Sequence, residues 1–119
     1  MHIEEISWFK PSCNYGDGKV FGQANSYKTL FLVSMKCSNT ENVWGESYVG
    51  IYIPDHIDCI AKMIKERLLG LEVLDVNDYL SRIIIPFVHG SGIYQSILSA
   101  FDICIWQLRA KALKKPLLV

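Results

Sequence analysis

The sequence carries no net charge: twelve Lys and Arg balance twelve Asp and Glu over 119 residues, and the pI is 6.8. Without an excess of positive charge no field gathers a polyanion, which argues against nucleic acid or an anionic membrane surface as a partner. The start, Met1-His2-Ile3-Glu4-Glu5, lacks the basic residues and apolar core of a secretory signal. No apolar run approaches the roughly 20 residues of a membrane span. These absences give the expectation of a soluble, cytoplasmic protein. Cysteine is sparse and unpaired in pattern: Cys13, Cys37, Cys59 and Cys104 form no Cys-x-x-Cys and sit mostly inside apolar patterns. They read as small buried residues of a reducing compartment rather than as a disulfide framework.

Recognisable chemistry is also missing. His56 and Cys59 stand one helical turn apart, but no second pair completes a metal site. His2, His56 and His89 have no Ser or Cys nucleophile at a familiar spacing, and no two carboxylates are set apart by apolar surroundings. Gly16-Asp17-Gly18 has no strand-loop-helix context that would make it a phosphate cradle. Glu46, flanked by Gly, Ser and aromatic residues, reads as a strand-end carboxylate bonded to nearby backbone or hydroxyl groups. The expectation is a chain with no catalytic residue, no metal site and no cofactor of its own. Repeats and low-complexity tracts are absent.

Half of the residues are hydrophobic, enough for one core and one domain, 1–119. Ile3, Ile6 and Trp8 suggest a first strand ended by Pro11, although the apolar spacing does not alternate cleanly. Residues Ser12 to Asn25 are rich in Gly, Asn and Ser and predict a loop or irregular hairpin. Tyr27 to Cys37 alternates strictly, with Tyr27, Thr29, Phe31, Val33, Met35 and Cys37 on one face, and predicts a long strand. After turn residues 38–42, Val43 to Val49 returns as a third strand of an antiparallel meander.

Beyond Ile53 the period changes from two to about 3.6. Ile57, Ile60, Ala61, Ile64 and Leu68 make the stripe of a helix begun near Pro54 and ended by Gly70. A shorter helix capped by Asp75 is expected to bury Val76, Leu80, Ile83 and Ile84 before Pro86 stops it. Ser91 can cap a last long helix, Gly92 to Leu118. At about 100° per residue, Ile93, Ile97, Ala100, Phe101, Cys104, Ile105 and Leu108 fall on its apolar arc, and Gln95, Ser99, Asp102 and Arg109 oppose them. Trp106 projects onto that polar side, so the helix wants cover on two sides. The layout is α+β: a three-stranded antiparallel meander followed by three helices packed on one face.

Two stretches go further. Ser99-Ala-Phe-Asp-Ile-Cys-Ile-Trp-Gln-Leu-Arg-Ala-Lys-Ala-Leu-Lys-Lys-Pro-Leu-Leu resembles the last helix of the N-terminal capping domain of the enolase superfamily, in its mandelate racemase/muconate lactonizing enzyme branch. There it runs straight into a (β/α) barrel. Ala100, Asp102, Trp106, Ala110, Lys111 and Pro116-Leu117-Leu118 stand at the family's spacings; Gln107 replaces the Asp that usually follows the Trp. Trp44-Gly45-Glu46-Ser47 is similar to the Gly-Trp-Gly-Glu-Ser/Ala signature of the family's third strand. The glycines of the preceding turn are missing, with Thr40, Asn42 and Val43 in that region. The order of elements matches the capping domain from end to end.

The resemblance implies an active site shared with a barrel that this sequence lacks. In the family the barrel supplies three carboxylates that hold Mg²⁺, and the Lys or His bases that remove a proton α to a carboxylate. Two capping-domain loops exclude water and select the substrate. Carried over by position they are Cys13 to Asn25 and Tyr48 to Ile53, with Tyr15, Asn25, Tyr48 and Tyr52 expected to face a small carboxylate substrate; ordinary loop packing is the alternative for each. The activity implied for the assembled protein is sugar-acid dehydration or racemisation. A second reading is a stand-alone interaction module that has lost its barrel and forms a homo-oligomer through the barrel-facing surface. The apolar ending Pro116-Leu117-Leu118-Val119 suits either.

Overall fold

The structure, a computed structural model, describes residues 1–14, 27–38, 40–47 and 56–115. Among the described residues five strands precede three helices: β1 (Ile3–Phe9), β2 (Ser12–Asn14), β3 (Tyr27–Thr29), β4 (Phe31–Cys37), β5 (Val43–Ser47), α1 (Ile57–Leu68), α2 (Val76–Ile83) and α3 (Gly92–Ala112). Strands β1, β4 and β5 form an antiparallel sheet in the order β1-β4-β5, and β2 and β3 form a separate ribbon. The helices cover one face of the sheet, as the α+β pattern predicts.

The irregular spacing of the first strand has a structural cause. The register steps from Ile3 opposite Cys37 to Glu5 opposite Lys36, so one extra residue at Glu4 makes a bulge. The bulge lets both Ile3 and Ile6 face the core, each only 2% exposed. In β4 the alternation is as read: Phe31, Val33, Met35 and Cys37 are all buried. The continuous strand expected from Tyr27 to Cys37 is instead broken at Leu30. Pro11 has no N–H with which to continue a ladder, but its carbonyl accepts from Leu30 N at 2.9 Å. Tyr27–Thr29 then pairs with Ser12–Asn14, the start of the stretch expected to be a loop or irregular hairpin.

Between β4 and β5, side chains hold the connection. Thr40 Oγ1 accepts from Cys37 N at 3.0 Å and donates to Cys37 O at 2.9 Å, while Asn42 Nδ2 donates to Ser34 Oγ at 2.8 Å. The latter bond satisfies the buried Ser34.

Helix α1 buries Ile57, Ala61, Ile64 and Leu68 as expected, and the chain turns at Gly70 with φ 83°, a conformation suited to glycine. Asp75 caps α2 by accepting from Asp78 N at 3.0 Å. The buried side of α2 differs from the expected one. Tyr79 and Ile83 point inward, whereas Val76, Leu80 and Ile84 are 48%, 46% and 54% exposed. Tyr79 takes the inward place because its hydroxyl finds a partner in Asp102 of α3 (2.5 Å).

Ser91 caps α3 by accepting from Tyr94 N at 3.1 Å. The helix ends at Ala112 rather than Leu118: Lys114 adopts φ 55°, and residues 116–119 lie outside the described ones. Ile97, Ala100, Phe101, Cys104, Ile105 and Leu108 are buried. Ile93 is exposed because Tyr94 fills the inward position of that turn, and Arg109, expected on the polar side, is buried. Cys37 and Cys104 are buried, but Cys59 is exposed on α1, beside the Ile57–Ala61–Ile64 stripe and not on it.

Helix α3 lies along β4 and β5, and one contact sets its distance. A Cβ on Gly45 would stand 2.1 Å from Ala100 O and 3.3 Å from Cys104 Sγ. The nearest atom is backbone, so no side-chain rotation relieves it. Gly45→Ala should therefore cost at least about 2 kcal/mol, read as a fall in the urea midpoint, and the loss should persist when Cys104→Ala is added. An unchanged midpoint would contradict the packing. Burial also pushes the Cys104 thiol up to about 12. At about pH 8 a thiol reagent should modify Cys59 in the folded chain but reach Cys37 and Cys104 only after unfolding, as followed by peptide mapping.

Candidate functional site

Tyr15, Asn25, Tyr48 and Tyr52 lie outside the described residues; the structure defines the frame from which their segments depart. Asn14 pairs with Tyr27 at the end of the β2–β3 ribbon. In the main sheet Phe31 stands opposite Ser47, Phe9 opposite Leu32, and Leu30 is bonded to Pro11. The first turn of α1 is tied to the same end of the sheet: Trp8 Nε1 donates to Asp58 Oδ1 at 2.8 Å and Lys10 Nζ to Asp58 Oδ2 at 2.5 Å. The hydrogen bond from Lys10, followed by that from Trp8, holds the Asp58 carboxyl below its usual range. Residues 15–26 and 48–55 are therefore bounded by residues gathered at one end of the sheet. Glu46, near that end, is exposed and lines a hollow with Leu32, Trp44, Gly45 and Ile103. Among the described residues no hydrogen-bond partner holds its carboxylate.

A second hollow, unforeseen from the sequence, lies between α2 and α3. It has a volume of about 400 Å³, and its walls include Val76, Tyr79, Leu80, Asp102, Trp106 and Arg109. Arg109 explains its own burial. Its Nε donates to Val73 O at 2.6 Å, and its guanidinium carbon lies 5.0 Å from the Tyr79 ring centre and 5.2 Å from that of Trp106, within cation–π range. Its Nη2 is buried with no hydrogen-bond partner. Burial first, and then the hydrogen bond to the Asp102 carboxylate, keep the Tyr79 hydroxyl protonated well above the usual tyrosine range. The helical spacing of Asp102, Trp106 and Arg109 was legible; the contribution of Tyr79 from another helix was not. Among the described residues no three His, Cys, Asp or Glu side chains stand close enough to share a metal ion.

The two motifs read in the sequence meet in space. Gly45 packs on Ala100 and Cys104, and Gln107 Nε2 donates to Trp44 O at 2.6 Å. A carboxylate in place of this amide would have no proton to offer the carbonyl, so Gln107 supplies the donor that this strand edge uses.

Neither a protein-family model nor a curated protein sequence matches the chain. Solved structures do. A member of the enolase superfamily from Agrobacterium tumefaciens is similar with a TM-score of 0.74 and 18% identity over 98% of this chain and 36% of its own. The dipeptide epimerase from Cytophaga hutchinsonii, in complex with Mg and D-Ala-L-Val, gives 0.71 and 19% over 94% of this chain and 31% of its own. The 3,6-anhydro-D-galactonate cycloisomerase from Zobellia galactanivorans gives 0.72 and 19% over 95% of this chain and 29% of its own. The likeness shows a fold shared with part of each of these proteins, and the chain spans about a third of the length of these neighbours.

The neutral latch between the motifs is testable. Gln107→Glu keeps the shape but replaces the donor with a carboxylate, and should cost about 0.5–1.5 kcal/mol at neutral pH. The deficit relative to the parent should shrink below about pH 4, where the carboxyl regains a proton. A deficit that is independent of pH would show that the hydrogen bond is not what matters.

Proposed function

We propose that the chain is the capping, substrate-selecting domain of an enolase-superfamily protein of the mandelate racemase/muconate lactonizing enzyme type, working with a (β/α) barrel domain or chain. In this reading the pair removes the proton α to the carboxylate of a small substrate, with sugar-acid dehydration or racemisation as the outcome, in the cytoplasm. One observation carries it: 94–98% of this chain superposes on about a third of neighbours that include an epimerase and a cycloisomerase. The remaining two thirds of such a protein would hold the acid–base groups and the Mg²⁺, which polarises the carboxylate and stabilises the enediolate when bound. The described residues offer no cluster for that ion, and no step of the reaction is assigned to them.

What this chain contributes is closure and selection. Its two candidate segments leave from one end of the sheet, where the bonds of Asp58 fix the start of α1 against β1. A lid held at rigid stems can exclude water and offer side chains to a substrate without taking part in the chemistry. Tyr15, Asn25, Tyr48 and Tyr52 are assigned that role. The exposed apolar side chains of α2 also suit a self-associating module without a barrel, the second reading. Tyr48→Ala or Tyr52→Ala should change the ratio of kcat/KM between competing substrates of the assembled enzyme by about tenfold. Kinetics unchanged for every substrate would remove these tyrosines from the site.

A further inference from the structure

We infer that the hollow between α2 and α3 is the docking seat of the second domain, with Val76, Leu80 and Trp106 receiving apolar side chains from it. The inference rests on the reading above that such a domain exists. Its first support is the misplaced stripe of α2. Val76 and Leu80 stand one helical turn apart, yet each is about half exposed, and the helix turns only Tyr79 and Ile83 inward. An eight-residue helix that is apolar on a flank its own domain leaves open is built to be covered twice.

The polar groups in the walls argue for a protein surface rather than a polar small molecule. Most are already committed within the domain: Tyr79 Oη to Asp102, Arg109 Nε to Val73 O, Ser99 Oγ to Ser96 O, and the Gln95 amide to His89 O. What remains to recognise a partner is aliphatic surface, an indole and one unpaired donor, the buried Nη2 of Arg109. Trp106 is 53% exposed, and its ring is held by the Arg109 guanidinium, which is itself fixed by Val73. A large aromatic side chain already held in place suits an interface anchor, since little freedom is lost on docking. The neighbours supply the occupant: each has about twice this chain's length beyond the matched part. Trp106 and Arg109 lie within the last two turns of α3.

The test uses the protein isolated from its native cells through an N-terminal tag, with whatever second domain or chain accompanies it, and the 119-residue chain expressed alone. Leu80→Cys is introduced in both, and a maleimide reads that thiol by peptide mapping. The position is already exposed, so the change leaves the core alone, and circular dichroism checks the fold. The expected result is a barrel-sized partner with Leu80→Cys protected about tenfold or more relative to the chain alone, protection being lost on unfolding. A barrel-sized partner without protection overturns this inference and leaves the proposed function standing. Protection in a self-dimer without a barrel assigns the seat to a second copy, refutes both this inference and the capping function, and supports the self-associating module. A lone, unprotected monomer likewise refutes both.

Discussion

The close approach of α3 to β5 is the constraint on which the domain depends. A helix usually rests on a sheet through side chains; here a helix carbonyl comes so near a strand that nothing larger than a hydrogen fits on Gly45. That distance lets Phe101 meet Phe31, with ring centres 6.1 Å apart, and brings Cys104 Sγ within 3.5 Å of Val33 O. It also brings Gln107 within reach of the edge carbonyl of Trp44. Because α3 is held so closely on the sheet, its other flank is free to face α2, and the Tyr79, Asp102, Trp106 and Arg109 cluster forms there. The two hollows lie on either side of this one helix.

Most of the architecture was legible in the sequence because it is encoded in periodicity. The two-residue alternation of β4, the stripe of α1, the caps at Asp75 and Ser91, and the arc of α3 are local patterns, and the structure retains them. What misled were positions decided by partners distant in sequence. The break at Leu30 follows from Pro11, and the bulge at Glu4 appears only when the register with β4 is known. The exposed flank of α2 could not be read from its own amphipathicity, because a stripe of apolar residues says that something covers a helix and not whether that cover is in the same domain.

The site was legible to a smaller degree. Sequence resemblance pointed to the two segments carrying Tyr15, Asn25, Tyr48 and Tyr52, and the described residues define where these segments begin and end. The α2–α3 hollow combines residues of separate helices, as in the bond of Tyr79 to Asp102, 23 positions apart, and no local pattern announces such a pairing. Arg109 shows the difficulty well. Three residues from Trp106 it reads as an exposed cation, and only the carbonyl of Val73 and the ring of Tyr79 give it a reason to be inside.

One property of the α3–β5 seam follows from the residues that compose it. Gly45, Ala100 and Gln107 do not ionise, and the Cys104 thiol keeps its proton far above neutrality. Dissolved ions weaken attraction between charges and leave van der Waals contact and neutral amide bonds almost untouched. The contact that sets the spacing of helix and sheet is therefore indifferent to ionic strength, while the Lys10–Asp58 link at the sheet's end loosens as salt rises. The two parts of the domain answer to different variables of the surrounding solution.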